Sequence, residues 1–310
     1  MHKGKILIVD DLHPVFKESA AKLGFTCDDE PFFTRTQTLD IIANYSGLVI
    51  RTKFKVDREI IDAAPNLKFI ARAGAGMDNV DEDYALSKGI ICINAPEGNR
   101  DAVAEHAIAM LLSMMGNLRK SDIEIRNGIW DREGNRSREL RGKTIALIGY
   151  GNTGQAMARK LAGFDVDVIA FDKYKCNYGN EFVKEMSMEQ IVKYADVLSL
   201  HIPLTRETKK MVDTEYLFHF KKPFYFINTS RGEIVDTTSI LKGISEGKLL
   251  GACLDVLEKE QFPALSQERW YADLVQNDQV ILSPHVAGWS FESYRRISEV
   301  LAEKLKNLVF

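Results

Sequence analysis

Short apolar runs alternate with stretches of helical period along the whole chain. Residues 6–9, 48–50, 69–71 and 90–93 are continuous apolar runs too short for buried helices, and polar or glycine-containing segments bound them. They read as strands. Between them, residues 15–23, 58–64 and 83–88 space their apolar positions as helices do, and Gly24 and Gly89 stand where C-terminal caps belong. About the first 95 residues thus predict one compact α/β unit. A long, strongly apolar helix is expected over 102–118, followed by a polar, arginine-rich stretch, 126–141, that carries Trp130. Further strand patterns occupy 144–148, 166–171, 197–200, 225–228, 251–256 and 280–283, and 291–308 reads as an amphipathic helix. No repeat at solenoid periods and no low-complexity segment interrupts this order.

Strands that alternate with helices pair in parallel, and helices cover both faces of the sheet. The expected fold class is therefore α/β, with two doubly wound parallel-sheet domains. Ligands bind beyond the carboxyl ends of such strands. The chemistry is expected there, in a cleft between the domains.

One turn is more specific than the rest. Gly149, Gly151 and Gly154 lie between the strand pattern at 144–148 and a helical pattern, and Asp172 closes the next strand, 18 residues past Gly154. In a dinucleotide fold the first glycine makes the tight turn and the second lets the backbone approach a pyrophosphate. The third lets the helix pack on the strand. The helix N-terminus supplies N–H groups and partial positive charge. Asp172 suits a ribose diol and repels a 2′-phosphate, which favours NAD over NADP, although Lys173 beside it softens that preference. The start of the chain, 5–11, looks like a phosphoreceiver domain. No aspartate ends the strand at 48–50, however, and Asp57 falls at a helix start, where an acid is a good N-cap.

Composition narrows the function classes. The chain has 310 residues, 45% of them hydrophobic, and a formal net charge of −3. That gives core enough for about two domains and no basic face for nucleic acid or an anionic membrane. Cys27, Cys92, Cys176 and Cys253 form no C-x-x-C pair and no metal-site spacing. No signal peptide or spanning segment is visible, so a cytoplasmic protein is expected.

Three ionisable residues stand at or just past predicted strand ends: Arg231, Glu260 and His285. Here the chain resembles the D-isomer-specific 2-hydroxyacid dehydrogenase family over nearly its whole length. After the glycine loop come His201-Ile202-Pro203-Leu204-Thr205, then Asn228 to Asp236 around Arg231-Gly232, then Leu254-Asp255-Val256 leading to Glu260, then Pro284-His285-Val286-Ala287-Gly288. The resemblance implies a Rossmann NAD-binding domain over 99–285 and a discontinuous, flavodoxin-like substrate domain made of 1–98 and 286–310. It assigns catalysis to Arg231, Glu260 and His285. It assigns NAD contacts to Gly149, Gly151, Asn152, Thr153, Gly154, Asp172, His201, Pro203, Thr208, Thr229, Ser230, Asp255 and Gly288. Gln261 stands where the family has proline, with Pro263 two residues on, which leaves Glu258 as an alternative partner for His285.

The residue types match the chemistry. A neutral histidine takes the hydroxyl proton of a 2-hydroxy acid as hydride leaves, and its protonated form returns it to a 2-keto acid. A carboxylate on the other ring nitrogen fixes the tautomer, and an arginine clamps the substrate carboxylate. The resemblance gives that carboxylate to the Ala75 and Gly76 amides as well, at a strand-end anion nest. The run from Arg72 to Asp81 and Arg51-Thr52-Lys53 look like the 3-phosphoglycerate dehydrogenase branch, with Arg51, Lys53 and Arg72 neutralising a phosphate. Arg132 and Arg136 are candidates to add charge from a second subunit. Oxidation of 3-phosphoglycerate, a step toward serine, is the leading expectation. The alternatives are another D-2-hydroxyacid dehydrogenase of glycerate/hydroxypyruvate or lactate type, or a non-catalytic NAD(H)-sensing corepressor-like protein. A two-fold homodimer is expected through 102–118, with Met110, Met114 and Met115, and through 126–141. The end at Phe310 predicts no serine-sensing extension. A hinge is expected near 95–100 and 284–290, with Gly98 and Gly288 taking up rotation.

Overall fold

The structure, a computed structural model, describes residues 3–308. Residues 1, 2, 309 and 310, which the expected domain limits take in, lie outside the described residues. The chain divides into two compact units. One runs up to Arg100 and resumes at Trp289; the other spans Asp101 to Gly288.

The first unit holds strands β1 (Gly4–Ile8), β2 (Phe25–Asp29), β3 (Gly47–Ile50), β4 (Phe69–Arg72) and β5 (Ile91–Asn94). They pair in parallel in the order β2-β1-β3-β4-β5, the flavodoxin-like order. Side chains alternate between faces with period two. Ile6, Ile8, Val49 and Phe69 therefore join one core with Phe16, Ile297 and Leu301, while Leu7, Leu48, Ile50 and Ile70 join another with Ile42 and Ile60. Burial on both faces is why the strands read as unbroken apolar runs. Each large apolar side chain so enclosed contributes about 1.5–3 kcal/mol. The C-terminal helix Phe291–Lys306, opened by a Ser290–Ser293 capping box, returns to this unit and buries Ile297, Leu301 and Leu305.

The second unit holds β6 (Thr144–Ile148), β7 (Asp167–Phe171), β8 (Lys184–Glu185), β9 (Val197–Leu200), β10 (Phe224–Asn228), β11 (Leu249–Leu254) and β12 (Val280–Leu282). Their order is β12-β11-β10-β9-β6-β7-β8, parallel throughout. This is the doubly wound Rossmann order with one strand added. Again each strand splits its residues, with Ile148, Leu200, Phe226 and Leu254 on one face and Leu147, Val197, Ile227 and Cys253 on the other. The strand order reverses between β6 and β9, so the crevice at their carboxyl ends is the topological switch point.

Several elements differ from expectation. The long helix is Pro96–Met115, beginning six residues early because Pro96 suits a first turn. It stops before Asn117, whose backbone is left-handed, and a second helix follows at Leu118–Arg126. Met110, Met114 and Met115, expected at a subunit interface, are buried in this unit's own core. Gly98, expected to flex, lies inside the helix. A Cβ there would come within 2.6 Å of the Ile297 backbone, so it serves close helix packing instead. Among the described residues no helix is long and apolar enough to cross a membrane.

Candidate active site

Strands β10, β11 and β12 are parallel neighbours, so the loops leaving their carboxyl ends emerge side by side. Arg231 lies in the first loop, Glu260 in the second and His285 in the third. Gly232 lets the first loop press on the second: a Cβ there would meet the Leu257 carbonyl oxygen at 1.9 Å. His285 Nδ1 is 2.8 Å from Glu260 Oε2. A carboxylate only accepts hydrogen bonds, so Nδ1 carries the proton and a neutral ring keeps its lone pair on Nε2. Glu258 points elsewhere, accepting from the Thr237 N–H at 2.8 Å and pairing with Lys210. Glu260 is thus the carboxylate beside His285.

His285 has a left-handed backbone, with φ of 55°, which is uncommon away from glycine. Most of the bonds that hold the turn go to Asp255, with the Ser283 carbonyl also 3.1 Å from His285 N–H. The Asp255 carbonyl accepts from His285 N–H at 2.7 Å. The Asp255 carboxylate accepts from the Val286 and Ala287 N–H groups at 2.9 Å each, and from the Ser283 hydroxyl at 2.6 Å. Arg231 is half-buried, and its guanidinium donates to the Ser230 carbonyl at 2.7 Å. Its loop is fixed by the Asn228 side chain, which bonds the Arg231 carbonyl and the Ser230 N–H, and by the Ser230 hydroxyl on the Leu200 carbonyl.

The switch point holds the glycine loop. Gly149 has φ of 95°, and a Cβ there would meet the His201 carbonyl oxygen at 2.4 Å. At Gly154 a Cβ would meet the Gly149 carbonyl oxygen at 2.3 Å, whereas Gly151 faces open space. The chain therefore requires glycine where the backbone is crowded and leaves an opening at the middle one. Gly151 caps the helix Asn152–Leu161, which begins with Asn152 and Thr153. Asp172 accepts from the Tyr150, Tyr174 and Lys175 N–H groups at 2.8, 3.0 and 3.1 Å. Burial alone would raise its pKa, but these bonds to the ionised form outweigh it and the net shift is downward. Lys173 pairs with Glu207.

Two buried polar atoms near these strand ends have no hydrogen-bond partner: His201 Nδ1 and Thr229 Oγ1. His201 bonds Ser199 through Nε2 at 3.0 Å, and burial pushes its pKa down to about 4. It is neutral near pH 7 and offers Nδ1 for recognition rather than charge. Thr208 bonds the Pro203 carbonyl at 2.7 Å and so braces the loop after β9. An opening over Gly151, a pinned carboxylate at Asp172 and two orphaned polar atoms fit a dinucleotide. Among the described residues no group of three or more His, Cys, Asp or Glu side chains is placed to hold a metal.

In the five-stranded unit the expected substrate contacts follow β3 and β4. Arg51 Cζ lies over the Trp289 ring, 4.0 Å from its centroid, and burial lowers the pKa of Arg51. The Arg51 and Lys53 N–H groups both donate to Asp10, at 2.7 and 3.3 Å, while the Lys53 ammonium donates to the Pro31 carbonyl. Arg72 folds over Gly74. Asn94 fixes the following turn by donating to the Ala75 carbonyl at 2.6 Å. Sequence reasoning did not single out Trp289, His106 or Ser283. Their partners lie far away along the chain, and no motif spacing marks them.

Comparison with known proteins points to one family. The sequence model of the D-isomer specific 2-hydroxyacid dehydrogenase NAD binding domain matches residues 108–287. The D-3-phosphoglycerate dehydrogenase of Archaeoglobus fulgidus is 32% identical over 98% of this chain, which spans 57% of that longer protein. The glyoxylate reductase of Thermofilum pendens is 35% identical over 88% of this chain and 80% of its own length. The D-lactate dehydrogenase of Aquifex aeolicus, solved with NAD and lactic acid, superposes with a TM-score of 0.83 at 26% identity, covering 97% of this chain and 94% of that one. With the match extending over more than half its length, the chain belongs to the D-isomer specific 2-hydroxyacid dehydrogenase family.

Proposed function

We propose that the protein is an NAD-dependent oxidoreductase that interconverts a D-2-hydroxy acid and its 2-keto acid, with 3-phosphoglycerate as the substrate. The observation that carries the reaction type is the His285–Glu260 hydrogen bond, on loops that leave strands neighbouring the one that leads to Arg231.

The cofactor, when bound, gives or takes the hydride. The rest falls to the chain. His285 Nε2 accepts the hydroxyl proton in the oxidative direction, and its protonated form donates to the carbonyl oxygen in the reductive one. Glu260 keeps Nδ1 protonated, so that Nε2 is always the reacting nitrogen, and it stabilises the imidazolium. Arg231 supplies paired N–H donors for the substrate carboxylate and draws charge toward the carbonyl oxygen. Gly149, Gly151 and Gly154 with the N-terminus at Asn152 and Thr153 receive the pyrophosphate, and Asp172 the adenosine ribose. His201, Pro203, Thr208, Thr229, Ser230, Asp255 and Gly288 border the remainder. In the five-stranded unit the Ala75 and Gly76 amides offer N–H donors suited to a carboxylate.

A phosphorylated substrate is supported by Arg51, whose guanidinium sits over Trp289 and is of the type that donates paired N–H groups to a phosphate. A second reading, an unphosphorylated 2-keto acid such as glyoxylate or hydroxypyruvate, is favoured by the diversion of Lys53 to Pro31. The assembly proposed is a homodimer, carried by exposed Leu118, Ile123, Ile125, Ile129 and Trp130 rather than by the buried methionines. Light scattering that gives one chain per particle contradicts it.

The test of the function is NADH oxidation by the purified protein with 3-phosphohydroxypyruvate, hydroxypyruvate and glyoxylate in parallel. The expected result is the highest kcat/KM on the phosphorylated acid. A higher value on glyoxylate establishes the second reading, and NADH binding without turnover of any keto acid supports a sensor.

A further inference from the structure

We propose that His106 and Ser283 are positioning residues for His285, acting through the buried carboxylate of Asp255. This rests on the reading of His285 as the acid–base residue.

Ser283 Oγ lies 2.6 Å from Asp255 Oδ1 and 2.8 Å from His106 Nε2. A serine hydroxyl has one proton, and a carboxylate can only accept. The proton therefore goes to Asp255, ahead of the weak Met110 Sδ acceptor at 3.7 Å. Ser283 Oγ must then accept from His106, which fixes the proton of that ring on Nε2. A second consequence follows from the 3.6 Å between His106 Nε2 and Asp255 Oδ1: the same N–H edge faces the carboxylate itself.

The relay ends on the turn that carries His285. Asp255 Oδ1 takes the Val286 N–H as well as the Ser283 hydroxyl, Oδ2 takes the Ala287 N–H, and the Asp255 carbonyl takes the His285 N–H. Three successive backbone N–H groups thus converge on one residue. They hold His285 in a left-handed conformation, which is uncommon for a residue other than glycine. His106 sits in the helix Pro96–Met115, 177 residues from Ser283 in sequence, so a rigid element of the same unit anchors the turn. Without the His106 donor, Ser283 Oγ loses its tie to the helix; without the Ser283 hydroxyl, Asp255 Oδ1 loses a donor. In either case the turn is less firmly anchored and Nε2 drifts from the reacting oxygen. A displacement of about 1 Å lowers turnover by about 100-fold.

The test compares His106→Leu, His106→Gln, Ser283→Ala and Ser283→Thr at saturating NADH. Leucine and alanine break the relay, whereas the glutamine amide and the threonine hydroxyl preserve a donor and a link. The expected result is a fall in kcat of roughly 10–100-fold in His106→Leu and Ser283→Ala, recovery in the two conservative variants, and unchanged KM and NADH affinity. Values of kcat within about twofold of the parent in the two disruptive variants overturn the proposal. Nitrogen-15 NMR of the histidine rings decides it without turnover. The parent should show His106 protonated on Nε2, and Ser283→Ala should shift the His285 ring signals. An Nδ1-protonated His106 in the parent overturns the relay even if a disruptive variant fails to fold, and unmoved His285 signals in folded Ser283→Ala overturn it as well. Absence of turnover on any 2-keto acid in the parent, with the NMR result as expected, instead overturns the acid–base reading and leaves the relay standing.

Discussion

The carboxyl ends of the two sheets are built to different standards. In the seven-stranded unit, three neighbouring strands release Arg231, Glu260 and His285, and side-chain hydrogen bonds from Asn228 and Asp255 fix the turns at Arg231 and His285. The left-handed His285 alone costs about 1–3 kcal/mol. The bonds to Asp255 offset that, at about 0.5–1.5 kcal/mol each and more where the acceptor is charged. In the five-stranded unit the cations diverge: Arg51 lies on Trp289, Lys53 reaches Pro31 and Arg72 folds over Gly74. The hydrogen bonds concentrate on the loops that carry the proposed acid–base pair, while the cations proposed to meet a phosphate each turn to a different neighbour.

The largest effect on stability expected from breaking this contrast comes from acid. His201 is buried and neutral, with its pKa pushed from the ordinary 6.5 to about 4. Between those values the unfolded chain binds a proton that the folded chain refuses. Stability is full above pH 6.5, declines as pH falls through the window and is lost below about 4, by roughly 3 kcal/mol in total. Denaturant unfolding at pH 7 and pH 4.5 should show the loss, and His201→Asn should reduce it. Hydrogen exchange should place the first opening in the seven-stranded unit; opening first in the other unit contradicts the assignment to His201.

Next comes Glu260→Gln, which keeps an acceptor for Nδ1–H and removes the charge that stabilises the imidazolium. Steady-state kinetics should show kcat down by about 100-fold, with NADH affinity unchanged. Glu258→Gln should leave kcat nearly untouched, because Glu258 serves Thr237 and Lys210. The reverse ranking would return Glu258 to the site. Smallest is Arg51→Ala, expected to raise KM for a phosphorylated keto acid by about 10-fold and to leave glyoxylate unaffected. Equal effects on both substrates would show that Arg51 does not read phosphate.

Much of the fold was legible because parallel strands buried on both faces are unbroken apolar runs. Residues 144–148 and 197–200 match the observed β6 and β9 end for end. The edge strand Phe25–Asp29 was missed because it buries little beyond Phe25. The helices Arg35–Ile41 and Met188–Tyr194 were missed although each opens with a capping box, Thr34 with Gln37 and Ser187 with Gln190, whose spacing is visible in the sequence. Within the site, glycine spacing and ordered motifs pointed to Gly149, Asp172, Arg231, Glu260 and His285. The left-handed turn at His285 and its dependence on Asp255, Ser283 and His106 carry no local signal, because those contacts bridge 28 to 177 residues.

The central claim is that His285 performs the proton transfer of a 2-keto acid reduction. The most direct measurement is single-turnover reduction of a 2-keto acid by NADH-loaded protein, comparing the parent with His285→Ala across pH. The account predicts a rate lower by about 100- to 10,000-fold in the variant, loss of the pH dependence due to one ionisation, and NADH binding as in the parent. A variant that reduces the acid at the parent's rate, with the same pH profile, would contradict it.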